Sequence, residues 1–280
     1  MADNLKGRVS ESIDELREFF DRHPRLWVLT GAGCSTESGI PDYRDRNGNW
    51  TRKQPVTFQD FVGAERVRRR YWARSLLGWP MFARALPNQG HHSLVRLQEQ
   101  GRVGALVTQN VDRLHQRAGS RDVVDLHGRL DRVICLQCSA TVDRDHWQIE
   151  LNQRNQSWAD QWRSHASMAP DGDADLTEAP FEQFEVPVCR ACGGLMKPDV
   201  VFFGETVPRP RVDDALKSMH NVDAVLVVGS SLMVFSGFRF IRAASQQGLP
   251  IVAISLGKTR ADDLLEFRAQ LPCTVALAAL

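Results

Sequence analysis

Apolar residues along the chain gather into short runs at residues 26–30, 103–108, 123–126, 224–229 and 250–257, each bounded by Gly, Asn, Ser or a charged residue. Runs this short, rich in Val and largely apolar, suit strands of a parallel sheet whose two faces are both covered by crossover helices. Between them lie stretches with helical spacing, at residues 12–20, 58–77, 91–100, 111–118, 211–219 and 238–246. This alternation predicts an α/β fold of Rossmann type, a doubly wound parallel sheet.

The middle breaks the rhythm. From residue 132 to 196 the chain turns polar and irregular and carries a Pro, Gly and Asp cluster at 169–180. The expected organisation is therefore a main domain from residues 1–131 and 197–280, with a helical insertion around 45–90, and a small inserted module at 132–196. Two hundred and eighty residues suffice for one large core with a satellite. Hydrophobic residues at 42% and charged residues at 25% fit a globular chain and exclude collagen-like, disordered and membrane-spanning classes. A net charge of +1 gives no overall pull toward nucleic acid or anionic lipid. The first twenty residues mix both charge signs and lack the apolar core of a secretory signal, so a cytoplasmic location is expected.

Four of the six cysteines form two pairs, Cys135-x-x-Cys138 and Cys189-x-x-Cys192. Two such knuckles supply four thiolates for a structural zinc ion, whereas a redox dithiol needs only one pair. With thiolate at every position no coordination site stays open, so hydrolysis at the metal is disfavoured. The small module is read as zinc-binding.

Polar and glycine residues follow several of the apolar runs. Gly31, Ala32, Gly33 and Ser35 come after the first, where glycines admit a pyrophosphate or simply make a tight turn. Gln109, Asn110 and Asp112 follow the second, with side chains able to read a ribose or an amide, or with Asn110 acting as a helix N-cap. His127 follows the third beside Gly128, which marks it out among eight histidines as a candidate acid–base group. Gly229, Ser230 and Ser231 offer further phosphate donors, or a turn. The stretch from Lys197 to Glu205 could line a tunnel, offer an edge to a peptide, or pack in the core.

In order along the chain, TGAGCSTESGIPDYRD, TQNVDRLH, LHG, CLQC with CRAC, KPDVVFFGE and VGSSL strongly resemble the sirtuin family of NAD-dependent protein deacylases, from about residue 26 to 257. RYWARSLLGWP, MAPDGDADL and KPDVVFFGE resemble class II, the branch of the mitochondrial sirtuin-four type and its bacterial relatives. The resemblance implies that Ala32, Gly33, Ser35, Arg44 and Ser230 hold the phosphates of NAD. It implies that Asn110 and Asp112 position the nicotinamide ribose and carboxamide, and that Tyr43 covers the nicotinamide pocket. Ser255, Leu256, Gly257 and Cys273 are expected at the adenosine end. Nicotinamide would leave as the acyl-lysine oxygen attacks C1′ to give an O-alkylamidate, with His127 then the general base for a ribose hydroxyl. Val200, Phe202, Phe203, Gly204 and Glu205 would line the acyl-lysine channel and pair with the peptide.

Tyr71 and Arg74 match the Tyr-x-x-Arg pair with which acid-acyl-removing sirtuins hold a carboxylate, although Arg66, Arg68, Arg69 and Arg70 crowd the same stretch and a basic solvated helix is the bland alternative. The chain departs from the family with Tyr43 where many members have Phe, Ser230 where many have Thr, and 50 residues between Cys138 and Cys189. Within that separation, 168–176 is expected to reach toward the acyl entrance. The expected partners are acylated protein lysines, with no nucleic acid or membrane and action as a monomer. The rival readings are NAD-dependent mono-ADP-ribosyl transfer to protein, an NAD dehydrogenase, and a zinc-ribbon module binding nucleic acid through the Arg-rich helix. Neutral overall charge and the missing aromatic platform weigh against the last.

Overall fold

The computed structural model describes residues 2–51, 55–168, 172–176 and 179–280. Strand β1 (Leu26–Thr30) follows helix α1 (Ala2–Arg22) and runs into two 3-10 turns; α2 (Phe58–Gly63), α3 (Glu65–Ala83) and α4 (Gln89–Glu99) lead to β2 (Val103–Thr108). Next come α5 (Leu114–Ala118), β3 (Val123–Asp125), β4 (Gly128–Cys135), β5 (Thr141–Asp143), α6 (Arg144–Arg154) and α7 (Gln156–Trp162). The chain continues through β6 (Ser167–Met168), β7 (Ala174–Asp175), β8 (Met196–Val200), α8 (Arg209–Lys217) and β9 (Ala224–Val228). It closes with α9 (Phe235–Gln246), β10 (Ile251–Ile254), β11 (Phe267–Ala269) and α10 (Cys273–Ala278).

Six strands form one sheet in the order β11-β10-β9-β1-β2-β3, every pair parallel. Progress along the sheet reverses at β1, which lies between β2 and β9, and such a reversal opens a crevice beyond the carboxyl ends of the strands. The central strands β1, β9 and β10 are buried at every residue, as continuous apolar runs require when helices cover both faces. The expected helix over 58–77 is two helices. Gly63 ends α2, Ala64 takes an extended conformation, and Arg68 donates to the terminal carbonyls of Phe61 and Val62 at 3.0 and 2.9 Å. The helix expected from residue 111 starts at Leu114.

A second, antiparallel sheet has the order β5-β4-β8. The domain joints expected at 131/132 and 196/197 fall within β4 and at the start of β8. A hydrophobic cluster of Trp72, Leu76, Trp147, Leu151, Phe184 and the cysteines Cys135 and Cys189 binds this sheet to α3 and α6. Within it Arg144 is 1% exposed and donates to Ser75 O and Oγ, both at 3.1 Å, and to Gln148 Oε1 at 2.7 Å, under the faces of Trp72 and Trp79. A buried guanidinium is tolerable because these acceptors and ring faces replace its water. Arg144→Ala should lower unfolding free energy by about 2–4 kcal/mol in a denaturant titration, through a cavity and orphaned acceptors.

Candidate functional site

The polar segments picked out along the sequence converge beyond the carboxyl ends of β1, β2, β3, β9 and β10. Gly31 N donates to Val228 O at 2.9 Å and Gly33 N to Gly229 O at 2.8 Å, so the turns after β1 and β9 lie backbone to backbone. Gly229 has φ +62, and a Cβ there would stand 2.4 Å from Cys34 N; only glycine fits. No long helix starts after β1. Ala32–Cys34 and Thr36–Ser38 are 3-10 turns, which keeps the segment after β1 a loop.

The segment after β2 is stitched to this loop. Asn110 Nδ2 donates to Gly31 O at 3.1 Å and to Ser35 Oγ at 3.0 Å, and Ser35 Oγ donates to Asp112 Oδ2 at 2.7 Å. Asn110 is therefore not the helix cap; Asp112 Oδ1 accepts from Leu114 N at 2.9 Å instead. Burial raises the Asp112 carboxyl above its ordinary value despite those hydrogen bonds. Gln109 Oε1 accepts from Ser230 Oγ at 2.5 Å, joining the ends of β2 and β9. At the end of β10, Ser255 Oγ donates to Gly257 O at 3.0 Å, Leu256 is exposed, and Gly257 lies against the backbone of Arg46. Cys273 is buried at the start of α10. Ser231 O accepts from Arg260 N at 2.9 Å.

His127 links the two sheets. Its Nδ1–H donates to Gln109 O at 3.0 Å, which leaves Nε2 as the lone-pair nitrogen, 2.7 Å from Ser236 Oγ. Its backbone carbonyl accepts from Val201 N at 2.8 Å, tying the ring to the segment after β8. Burial pushes its pKa down to about 4, only partly opposed by the Gln109 carbonyl, with Arg211 and Arg239 lowering it further. The imidazole is neutral at pH 7. Gly128, at φ +83, lets β4 cross β8, since a Cβ would lie 2.1 Å from Asp199 O.

Val200 ends β8, and Phe202, Phe203, Gly204 and Glu205 follow as a turn. Buried Lys197 binds Val200 O and pairs with Glu205 at 3.1 Å, while Glu205 Oε2 also accepts from Phe202 N at 2.8 Å. Phe203 O accepts from Phe58 N at 2.8 Å and Gly204 O from Gln59 Nε2 at 2.9 Å, so part of the expected peptide edge is engaged within the chain. Tyr43, Trp50 and Phe203 form an aromatic triangle with centroids 5.4–6.4 Å apart, and Arg44 stacks 4.0 Å over Trp50 while donating to Gly48 O at 2.7 Å. Tyr71 packs on Phe61, Trp72 and Phe202. Trp50 and Ser236 were missed; neither stands in a spacing that marks it out.

Cys135 and Cys192 lie 3.5 Å apart and Cys138 and Cys189 3.6 Å apart, all four sulfurs within 4.8 Å of one another. A tetrahedral ion with Zn–S near 2.3 Å has edges of about 3.8 Å, so the cluster fits structural zinc. Of the 168–176 stretch, residues 169–171 lie outside the described residues; Asp173 is buried and pairs with Arg74 at 3.4 Å. A cavity of about 620 Å³ on the outer side of the small sheet, lined by residues such as His146, Glu150 and Arg190, lies apart from these strand ends. Among the described residues no helix is long and apolar enough to cross a membrane.

An open parallel sheet whose strand-end crevice is linked through one histidine to a second sheet that carries four clustered cysteines defines a two-part nucleotide-binding protein. The chain belongs to the Sir2 family, whose model matches residues 31–236. It is 59% identical over 265 residues to NAD-dependent protein deacetylase 2 of Bradyrhizobium diazoefficiens, covering 95% of this chain and 96% of the relative. It is 45% identical over 271 residues to the NAD-dependent protein deacylase Sirt4 of Drosophila melanogaster, covering 96% and 86%. Among solved structures, a Sir2 complex with a p53 peptide and NAD+ superposes with TM-score 0.72 at 28% identity, covering 94% of this chain and 95% of that one. A Sir2 enzyme bound to a propionylated peptide gives 0.73 at 28% identity, with 95% of each chain covered.

Purified protein should carry roughly one zinc per chain, and Cys138→Ser should lose it together with the cooperative unfolding of the small sheet, read by metal analysis and thermal denaturation.

Proposed function

We propose that this chain is an NAD-dependent protein lysine deacylase that transfers the acyl group from lysine to ADP-ribose and releases nicotinamide. The observation that carries the reading is the neutral His127 imidazole, with Nε2 unprotonated, held between the nucleotide-type loops and the segment after β8. The turns of Ala32, Gly33, Ser35, Ser230 and Arg44 receive the phosphates, and Ser255, Leu256, Gly257 and Cys273 the adenosine end. Asn110 and Asp112, both hydrogen-bonded to Ser35, orient the nicotinamide ribose and carboxamide. Bound NAD supplies an electrophilic ribose carbon and nicotinamide as leaving group. His127 Nε2 takes the ribose hydroxyl proton, in the position where Ser236 Oγ–H now donates. Tyr43, Trp50 and Phe203 close the site against water. We take residues 132–196 as the zinc module and the enzyme as a cytoplasmic monomer without nucleic-acid partners, a reading that the near-neutral charge supports.

Incubation with NAD and acetylated peptide should yield nicotinamide and O-acyl-ADP-ribose by mass spectrometry, and His127→Ala should lower kcat roughly 10²–10⁴-fold. The free-base form is needed, and burial lowers the pKa to about 4, so kcat/KM should stay level as pH falls through 6.5 and drop only toward that lower value. A modified protein in place of O-acyl-ADP-ribose would instead mark mono-ADP-ribosyl transfer.

The contact of Tyr71 with Phe202 supports a role for Tyr71 and Arg74 at the acyl end. Arg74 already has an internal carboxylate. Its Nε donates to Ala174 O at 2.6 Å and its Nη2 lies 3.4 Å from Asp173 Oδ2. An acid acyl chain must displace Asp173 to reach Arg74, so neutral acyl groups are preferred. Asp173→Asn should raise succinyl and glutaryl turnover relative to acetyl by about tenfold, the worth of one freed charge-assisted hydrogen bond. If that ratio stays fixed in both Asp173→Asn and Arg74→Met, the pair does not read the acyl group.

A further inference from the structure

Beneath the loop after β1, three metal-ligating side chains that the proposed reaction leaves unused meet in the core. Cys34 stands in the first 3-10 turn, His91 in the first turn of α4 and His115 in α5, with exposures of 1%, 0% and 1%. One donor atom from each lies within 4.8 Å of the others, and the two imidazole centroids are 4.8 Å apart. His91 Nε2 and His115 Nδ1 are both buried and make no hydrogen bond. Unpaired polar nitrogens in a dry core are costly, and two on adjacent rings clustered with a thiol call for a common partner.

The opposite ring nitrogen of His115 is held as a ligating histidine requires, and that of His91 has partners for either tautomer. Thr30 Oγ1 gives its proton to Thr108 Oγ1 at 2.8 Å, so His115 Nε2, 2.8 Å from Thr30 Oγ1, is the donor and Nδ1 keeps its lone pair. His91 Nδ1 lies 3.1 Å from Asn88 Oδ1, an acceptor for the tautomer that bares Nε2. The same Nδ1 accepts from Asn88 N at 3.2 Å in the other tautomer, so ligation selects between two forms that the cap already accommodates. We propose that Cys34, His91 and His115 form a buried three-coordinate site for copper(I), separate from the four-cysteine cluster. Binding forms one Cu–S and two Cu–N bonds and releases the thiol proton, while the His91 proton stays on its ring. One thiolate and two neutral imidazoles cancel the single charge. A divalent ion would remain positive in a dry core and would seek a fourth ligand, so the set favours a soft monovalent cation.

The test uses zinc-loaded full-length protein titrated with chelator-buffered copper(I), with both metals counted per chain and the copper shell read by X-ray absorption. The proposal expects roughly one copper beside one retained zinc, a shell of one sulfur and two nitrogens, and at least about a tenfold loss of copper in Cys34→Ser and His115→Gln. Copper that enters only as zinc leaves, a shell of sulfur alone, full retention in Cys34→Ser, or no copper uptake overturns it. The shell measurement on the unaltered protein decides the matter if a variant does not fold.

Discussion

Two hydrogen bonds through His127 set the relation between the parts of this molecule. The ring holds Gln109 O at the end of β2, and the backbone carbonyl holds Val201 N just past β8. One residue thus belongs to the edge of the parallel sheet and to the turn that follows β8. The ring bond also fixes the tautomer, because a proton committed to Gln109 leaves Nε2 basic. Orientation and acid–base state follow from one arrangement, with the imidazole kept neutral by its burial.

Glycine makes the other side of the crevice possible. The turns after β1 and β9 touch through backbone atoms, with Gly33 N on Gly229 O, and Asn110 reaches across to Gly31 O from β2. A loop built this way presents backbone and short hydroxyls to a ligand without side-chain bulk, as close approach to a pyrophosphate needs. Its rigidity comes from Asn110, Ser35 and Asp112 satisfying one another, so these groups are oriented before anything binds.

The parallel core was readable because β1, β9 and β10 are buried on both faces and must be apolar throughout. Less was readable where local pattern and tertiary contact part company. The break at Ala64 lies inside an otherwise helical stretch and depends on Arg68 reaching back to two carbonyls. β11 and β8 are short or carry Lys and Pro, and become strands only through pairing with β10 and β4. In the site, glycines, strand-end polar residues and paired cysteines announce themselves by spacing. Ser236 and Trp50 do not, because their importance comes from neighbours remote in sequence. The Tyr71–Arg74 spacing was visible, but Asp173, a hundred residues on, decides what Arg74 has to offer.

Charge around α3, β4 and β8 is largely balanced from within. Lys197 has Glu205, Arg74 has Asp173, and Arg132 has Asp199. Each pair includes at least one side chain with little exposure, so removal of one partner strands the other in a poorly hydrated setting. An internal partner also competes with any ligand of the same sign. Under the proposed deacylase reading, a carboxylate substrate arriving at Arg74 would first have to release Asp173, whereas an uncharged acyl group would meet mainly the apolar faces of Tyr71 and Phe202. On that reading selectivity would arise less from attraction to the preferred chain than from the cost of breaking a contact that the fold has already made.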